Sequence, residues 1–222
     1  MHIPDGFVSV GTAAATFVGS AGAIAYSARR VDRELHERQV PLMGVMAAFV
    51  FAAQMINFKV AAGTSGHLLG GALLGILLGP WAGTLVLTAV VGIQAFLFQD
   101  GGYLALGANL LNMAVLGVWS GYGIWWLARR LLPSKAGVAP AAFLAGWGSV
   151  MIASLACALE LAISGTSPLG LVVPAMAGVH ALIGIGEGLI TTGVLAFLAA
   201  TRKDLLELHT PSRALPAKGG AQ

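Results

Sequence analysis

Residues 68–98 read LLGGALLGILLGPWAGTLVLTAVVGIQAFLF, and this apolar run decides the fold. The run is too long for one membrane crossing, for which about 20 residues suffice. Gly79-Pro80 lies inside it, and proline breaks a helix because it lacks an amide proton and disfavours helical backbone in the preceding residue. We therefore expect two membrane helices that meet at this pair.

The composition of the whole chain agrees with a membrane protein. Of the 222 residues, 57% are hydrophobic and only 9% are charged, and the mean hydropathy is +0.85. Soluble domains carry roughly 25% charged residues. The net charge of +3 is too small to indicate nucleic-acid binding. The single cysteine, Cys157, cannot form a disulfide within the chain and is expected to be a core residue.

Five further apolar segments complete the predicted all-α fold, a single bundle of seven transmembrane helices. They are residues 8–28, 40–56, 104–128, 141–163 and 171–200. Arg29-Arg30 should end the first of them and begin a charged linker. We expect one membrane domain over residues 1–203, with residues 1–7 as an N-terminal arm, and a flexible tail over 204–222.

The basic residues predict the orientation of the bundle. They cluster in three loops that fall on the same side, which should be cytoplasmic. These residues are Arg29, Arg30, Arg33, Arg38, Arg129, Arg130, Lys135, Arg202 and Lys203. Only Lys59 lies on the opposite side. We therefore place the N-terminus outside and the C-terminus inside, in a multi-pass membrane protein. No positive leader precedes the first apolar segment, so the mature chain should keep its first residues.

The first six residues, MHIPDG, suggest a metal-binding arm. An uncharged amine at residue 1, the amide nitrogen of residue 2 and Nδ1 of His2 can chelate one ion in two fused rings. A fourth nitrogen from His67, in the external segment NFKVAAGTSGH, would complete a square plane. Ni²⁺ and Cu²⁺ favour this geometry and Co²⁺ accepts it, whereas Zn²⁺ prefers a tetrahedron. Pro4-Asp5-Gly6 predicts a turn, capped by Asp5, that folds the arm toward His67. From the residues alone, histidines without a ligand role remain the alternative.

Four stretches resemble one family, the CbiM/NikM substrate-binding components of energy-coupling-factor cobalt and nickel transporters. They are MHIPDGF (1–7), GTSGHLLGG (63–71), FQDGGYLALGANLLNMA (98–114) and HALIGIGEGLIT (180–191). The resemblance implies seven helices, an external N-terminus and a near-square plane made by the Met1 amine, the His2 amide and imidazole, and the His67 imidazole. The transported Ni²⁺ or Co²⁺ would be substrate, and no prosthetic group is expected.

The resemblance also implies a prokaryotic cell membrane as the location, and it implies partners. These are a transmembrane coupling subunit, two cytoplasmic ATPases and often a small accessory membrane subunit. The sequence contains no GxxxxGK[ST] phosphate-binding loop, so ATP hydrolysis would fall to the partners and the chain is expected not to be an enzyme. Gly44, Ala48 and Ala52 form a small-residue stripe on the second helix that would dock a partner, with packing inside the bundle as the alternative.

Several other polar residues are candidates for supporting roles. Six could orient the ligand histidines, namely Asn57, Thr64, Ser65, Gln99, Asp100 and His180. Within the apolar segments, Glu160, His180 and Glu187 suggest either a hydrogen-bonded structural arrangement, with the last two paired on one helix face, or a proton relay. Asn109 and Asn112 are expected to hold helices together.

Two other functions compete with metal capture. One is an intramembrane serine protease that would use Ser65 in the GTSG string as nucleophile and His180 as base. The other is a stand-alone, proton-coupled metal transporter that would use Glu160 and Glu187. The protease hypothesis leaves MHIPDG without a role.

Overall fold

The computed structural model describes residues 1–34, 39–60 and 64–207, and their side chains except for those of residues 34, 57–60, 64, 65 and 207. Within these residues, the chain forms seven helices and one pair of short strands. In order they are α1 (Val10–Glu34), α2 (Gln39–Gln54), β1 (Asn57–Val60), β2 (Thr64–His67), α3 (Gly71–Phe98), α4 (Leu106–Leu131), α5 (Val138–Ile163), α6 (Leu169–Thr201) and α7 (Lys203–Glu207). The predicted linker residues 35–38 and tail residues 208–222 lie outside the described residues.

Four of these helices, α3 to α6, are long and apolar enough to cross a membrane, and α2 is a shorter apolar helix. The prediction of a helical membrane bundle is thereby confirmed. The seven crossings and the orientation stay predictions. The small helix α7 continues across the predicted boundary between the membrane domain and the tail.

The predicted break at Gly79-Pro80 is present as a sharp bend within α3. Gly79 has φ 77° and ψ 161°, a backbone conformation that is outside the helical region and that suits glycine. The two segments, 71–78 and 80–98, fold against each other, since a Cβ atom on Gly83 would lie 3.1 Å from the carbonyl carbon of Leu74. The single apolar run therefore gives two packed helical segments.

The first segment of α3 begins in the interior of the bundle. A Cβ atom on Gly71 would lie 2.8 Å from the carbonyl carbon of Gly117, near the middle of α4, and one on Gly121 would lie 2.6 Å from the Cα atom of Ala72. Glycine at these positions lets the two backbones approach closely. His67 and Leu69, which lie just before Gly71, are fully buried inside the bundle instead of lying at its rim.

The first helix is longer than predicted. It does not end at Arg29-Arg30 but continues to Glu34. Arginine is a good helix former, and Arg30 stacks over Trp81 with its guanidinium carbon 5.6 Å from the ring centroid. Two charges beyond an apolar segment mark the limit of that segment without ending the helix.

The segment before α3, in a chain predicted to be all-α, contains an antiparallel hairpin. Asn57 pairs with His67, and Val60 pairs with Thr64. Pairing gives the backbone amides and carbonyls of this segment their hydrogen-bond partners, which non-helical backbone needs where water is scarce. His67 is therefore the last residue of a strand.

Candidate metal centre

The N-terminal arm is inserted into the bundle. Met1 and Ile3 are fully buried, and His2 is 3% exposed. The Met1 and Ile3 side chains belong to the main hydrophobic core, and burial of each contributes roughly 1.5–3 kcal/mol relative to water. The arm thus forms part of the folded core, and the first backbone nitrogens of the chain lie inside the protein.

Asn109 of α4 holds the backbone of the arm. Its side-chain oxygen accepts a hydrogen bond from the amide of Ile3 at 2.8 Å, and its Nδ2 donates to the carbonyl of Ile3 at 3.1 Å. The amide of Gly102 donates to the same carbonyl at 2.9 Å. One side chain therefore satisfies both backbone groups of Ile3, as a neighbouring strand would.

The predicted turn after Ile3 is present, but Asp5 has a different partner. Gly6 has φ 85°, the left-handed conformation expected of a turn glycine. The Asp5 carboxylate accepts hydrogen bonds from the amides of Tyr103, Leu104 and Ala105, at 3.0, 2.7 and 3.2 Å. Because these amides lead into α4, Asp5 joins the arm to the start of that helix and does not cap its own turn.

The two predicted ligand histidines lie side by side. The ring centroids of His2 and His67 are 4.6 Å apart, with 27° between the ring planes. Nδ1 of His67 lies 2.7 Å from the carbonyl oxygen of Leu68, and Nε2 of His2 lies 3.2 Å from Oε1 of Gln94. Both oxygens can only accept, so these nitrogens carry the ring protons. Nδ1 of His2 and Nε2 of His67 therefore present lone pairs.

These two lone-pair nitrogens are buried without a hydrogen-bond partner among the described residues. Buried polar atoms of this kind are uncommon and call for a physical explanation. Nδ1 is also the ring nitrogen that the predicted chelate requires of His2. The arrangement is thus suited to receive a cation between the rings and the N-terminal backbone.

Burial keeps the basic groups of the site uncharged. It lowers the pKa of the Met1 amine to about 5, because the charged form loses its hydration. Burial and, next, repulsion by the amine lower the pKa of His2 to about 3 and that of His67 well below its usual value. At neutral pH these groups therefore hold no protons that would exclude a metal ion.

Asp100 places a carboxyl group beside the His2 ring. Its Oδ1 lies 3.4 Å from Nδ1 of His2, and its side chain is 23% exposed. Burial raises the pKa of Asp100, and the nearby amine opposes this rise. A carboxylate oxygen facing a ring lone pair favours a cation close to both atoms.

The described side chains do not form a conventional metal cluster. Among them, no group of three or more His, Cys, Asp and Glu residues is arranged to hold an ion. Two imidazoles alone are too few for a four-coordinate site. A metal held here would need nitrogens of the main chain, which the buried arm brings into place.

The other predicted supporting residues have mixed outcomes. The side chains of Asn57, Thr64 and Ser65 lie outside the described part of the chain. Gln99 is exposed, with φ 54°, and ends α3, whereas Gln94 of the same helix contacts His2. The expectation that Gln99 orients a ligand histidine is therefore wrong. The helix places Gln94 on its buried face and Gln99 beyond its end.

The polar residues within the helices have separate partners. His180 is fully buried, and its Nδ1 donates to the carbonyl of Met176 in its own helix at 2.8 Å. Glu187 instead accepts from the amides that follow His67. The expected His180–Glu187 pair is therefore wrong. Glu160 of α5 accepts from Nδ2 of Asn112 in α4 at 2.6 Å, which confirms Asn112 as a link between helices.

The small-residue stripe on α2 faces outward. Gly44, Ala48 and Ala52 are exposed, and within the described residues no atom outside its own helix lies within 4 Å of a Cβ atom placed on Gly44. The alternative of packing inside the bundle is therefore wrong. The stripe is accessible to lipid or to another protein.

Three polar side chains shape the site in ways that sequence analysis missed. Gln94 was not considered, Asn109 was assigned to helix packing, and Glu187 was assigned to a pair within its own helix. The sequence feature that could have identified them is a polar residue within an apolar segment, because burying its side chain costs free energy unless it has a hydrogen-bond partner. The sequence identifies such residues but does not identify their partners.

Comparisons with known proteins identify the family. Residues 2–205 match a family described as the cobalt uptake substrate-specific transmembrane region (CbiM). The chain is 36% identical over 220 residues to a cobalt transport protein CbiM of Sorangium cellulosum, with 93% of this chain and 95% of the relative covered. It is also 36% identical over 222 residues to a fused nickel transport protein NikMN of Rhodobacter capsulatus, which covers 93% of this chain and 64% of the relative.

A solved structure is similar as well. The crystal structure of a truncated transition metal transporter has a TM-score of 0.84 and 34% sequence identity, and the match covers 90% of this chain and 99% of the other. The molecule is therefore a membrane transport component and not an enzyme, as predicted. The chain belongs to the CbiM family of cobalt uptake substrate-specific transmembrane regions.

Proposed function

We propose that this chain captures Ni²⁺ or Co²⁺ at the outer face of the membrane in a near-square plane of four nitrogens. The donors are the Met1 amine, the His2 amide nitrogen, Nδ1 of His2 and Nε2 of His67. The observation that carries the proposal is the pair of buried ring nitrogens without a hydrogen-bond partner among the described residues, next to the buried N-terminus. Relatives named as cobalt and nickel transport proteins support the same cargo.

The charge of the site supports a divalent ion. Binding requires the His2 amide to lose its proton, so the ion and the four nitrogens together carry one positive charge. The Asp100 carboxylate, 3.4 Å from the ligand nitrogen of His2, can balance that charge. A buried charge is stable only when it is paired in this way.

Delivery to the cytoplasm would require partner subunits. We propose a transmembrane coupling subunit, two cytoplasmic ATPases and a small accessory membrane subunit, in an importer whose substrate-binding component topples in the membrane. The outward-facing stripe of Gly44, Ala48 and Ala52 would allow close approach of the coupling subunit. In this arrangement the N-terminus is outside and the C-terminus is cytoplasmic.

Titration of the purified protein with Ni²⁺ at pH 7 is expected to show one ion per chain and one proton released from the chelate. The Met1 amine, with a pKa of about 5, and His2, with a pKa of about 3, are already uncharged, so only the His2 amide loses a proton. Calorimetry in buffers of different ionisation enthalpy measures the number of protons released per Ni²⁺ ion bound. A release of two protons would contradict the proposed state of the amine.

The matched variant in that titration is His67→Ala. It keeps the three nitrogens of the arm and should therefore release the same proton. Its Ni²⁺ affinity should fall by more than the roughly 100-fold that loss of an outer-shell partner can reach, since a direct ligand is lost. Unchanged affinity would remove His67 from the site.

The purified protein alone, reconstituted into liposomes, is expected to bind Ni²⁺ without moving it into the lumen. The buried carboxylates of Glu160 and Glu187 are hydrogen-bonded to Asn112 and to backbone amides, as structural groups would be. An indicator enclosed in the liposomes measures transport. Accumulation of metal without partner subunits would favour the stand-alone transporter instead.

A further inference from the structure

Glu187, near the middle of α6, is bound to the backbone that follows His67. Glu187 is 3% exposed. Its Oε2 accepts from the amide of Leu69 at 2.9 Å, and its Oε1 accepts from the amide of Gly70 at 2.6 Å. Nε2 of Gln54, at the end of α2, donates to the carbonyl of Leu69 at 2.7 Å. Two helices therefore fix the peptide groups on both sides of Leu69.

This fixed backbone controls the position of the His67 ring. The ring is tied through Nδ1 to the carbonyl of Leu68, at 2.7 Å, so the ring and residues 68–70 form one connected unit. Gly70 packs tightly as well, since a Cβ atom there would lie 2.6 Å from a methyl carbon of Val50. Nε2 of His67 thus has little freedom to follow a metal ion that requires another geometry.

We infer that Glu187 is the positioning residue that holds His67 in the plane of the arm nitrogens and thereby favours Ni²⁺ and Co²⁺ over Zn²⁺. This inference rests on the proposed function. Three nitrogens of the arm are coplanar by their chelate rings, so the fourth ligand determines the geometry. A His67 ring held in that plane suits a square-planar ion, whereas a mobile ring would also allow the tetrahedron that Zn²⁺ prefers.

The chemistry of the side chain explains why a carboxylate occupies this position. Each of the two amides needs an acceptor, and only a carboxylate offers one oxygen to each. The two hydrogen bonds also offset part of the cost of burying the carboxyl group. Glutamine has nearly the same size, but its NH₂ group would face one of the amide N–H groups. Glu187→Gln therefore loosens the backbone after His67 with little change in volume.

The test compares Glu187→Gln with Glu160→Gln by titration with Ni²⁺ and with Zn²⁺. Glu160 is the matched control, because it is also a buried carboxyl in a membrane helix but is bonded to the Asn112 side chain instead of the backbone of residues 68–70. Glu187→Gln should lower the Ni²⁺ affinity by about 10- to 100-fold, the range for partners of metal ligands. The Zn²⁺ affinity should fall less, so the preference for Ni²⁺ decreases. Glu160→Gln should leave this preference unchanged.

A double-mutant cycle shows whether Glu187 acts through His67. In the His67→Ala background, Glu187→Gln should cause no further loss of Ni²⁺ affinity, because the ligand that it positions is absent. The visible absorption of the Ni²⁺ complex should change with Glu187→Gln and stay the same with Glu160→Gln. Additive losses would mean that Glu187 acts on another part of the site and would overturn the inference.

Thermal unfolding separates positioning from simple stability. If Glu187→Gln lowers the melting temperature but leaves the Ni²⁺ to Zn²⁺ preference unchanged, the role is structural and the inference fails. Should that variant not fold, Glu187→Asp keeps both oxygens on a shorter side chain and must still shift the preference of the site for Ni²⁺ over Zn²⁺.

If the wild type binds neither Ni²⁺ nor Co²⁺, the proposed function fails. If the wild type and His67→Ala behave as expected but Glu187→Gln matches the wild type, only this inference fails.

Discussion

Insertion of two leucines between Met1 and His2 is expected to abolish Ni²⁺ and Co²⁺ binding while every original side chain is kept. The proposed chelate joins the amine to a histidine on the next residue, and two inserted residues move the amine too far away to close it. A single inserted residue would not suffice, because an amine two residues before a histidine also forms a planar chelate through the intervening amides. Three nitrogens of the plane are then no longer arranged around one ion. The loss should exceed the roughly 100-fold effect of an outer-shell substitution.

The residue inserted directly after Met1 must be large, so that Met1 stays on the chain. Methionine aminopeptidases remove Met1 when a small residue follows, so leucine keeps the methionine in place. Insertion of glycine is the matched control, because removal of Met1 would leave a glycine amine directly before the histidine and rebuild the chelate. Mass spectrometry identifies the N-terminus of each variant, and metal titration should show binding only for the rebuilt one.

The same reasoning applies to affinity tags. A tag on the N-terminus should prevent binding, because it replaces the amine by an amide, whereas a tag on the C-terminus should not. If the leucine insertion binds Ni²⁺ and Co²⁺ as the wild type does, the four-nitrogen site is wrong.

Asn109→Leu is expected to release the arm from the bundle and to lower Ni²⁺ affinity by more than the roughly 100-fold typical of outer-shell changes. Leucine has the same branched skeleton but offers no partner to the amide and carbonyl of Ile3, which Asn109 binds at 2.8 and 3.1 Å. A buried backbone group without a partner costs about 1–3 kcal/mol, so the docked arm becomes unfavourable. Metal titration and hydrogen exchange at residues 1–7 measure the two effects.

Asn112→Leu is the control for that variant. Asn112 lies one turn further along α4, is equally buried and is bonded to Glu160 instead of the arm. This substitution should lower the melting temperature and leave the Ni²⁺ affinity of the folded protein unchanged. If both variants lose affinity to the same extent, general destabilisation explains the result and the anchoring role of Asn109 is wrong.

The fold was largely predictable because its signals are local. Apolar segments locate the helices, and Gly79-Pro80 locates the bend in α3. The end of α1 was misplaced because charged residues mark the limit of an apolar segment, while the helix itself continues to Glu34. The hairpin before α3 was missed because its glycines and small polar residues favour loops, and only pairing between the two segments makes strands of them.

The candidate site was predictable only in part. His2 and His67 could be proposed from their chemistry and position, since the chelate depends on adjacent residues. The groups that hold them depend on long-range contacts. Gln94, Asn109 and Glu187 lie between about 90 and 120 positions from the residues that they bind, and packing of the bundle alone brings them together. A buried polar residue signals that a partner exists, but the sequence does not say which backbone group it is.

The docked arm has a consequence for biogenesis. The arm is synthesised first, yet its anchors are made much later: Asn109 lies on α4, and Thr166, whose hydroxyl donates to the carbonyl of Phe7, precedes α6. Glu187, which fixes the backbone after His67, comes later still. The first residues to be made are thus among the last to reach their final place. A chain that ended before α6 would contain all four proposed donor nitrogens and would still lack Glu187, which fixes the backbone after His67.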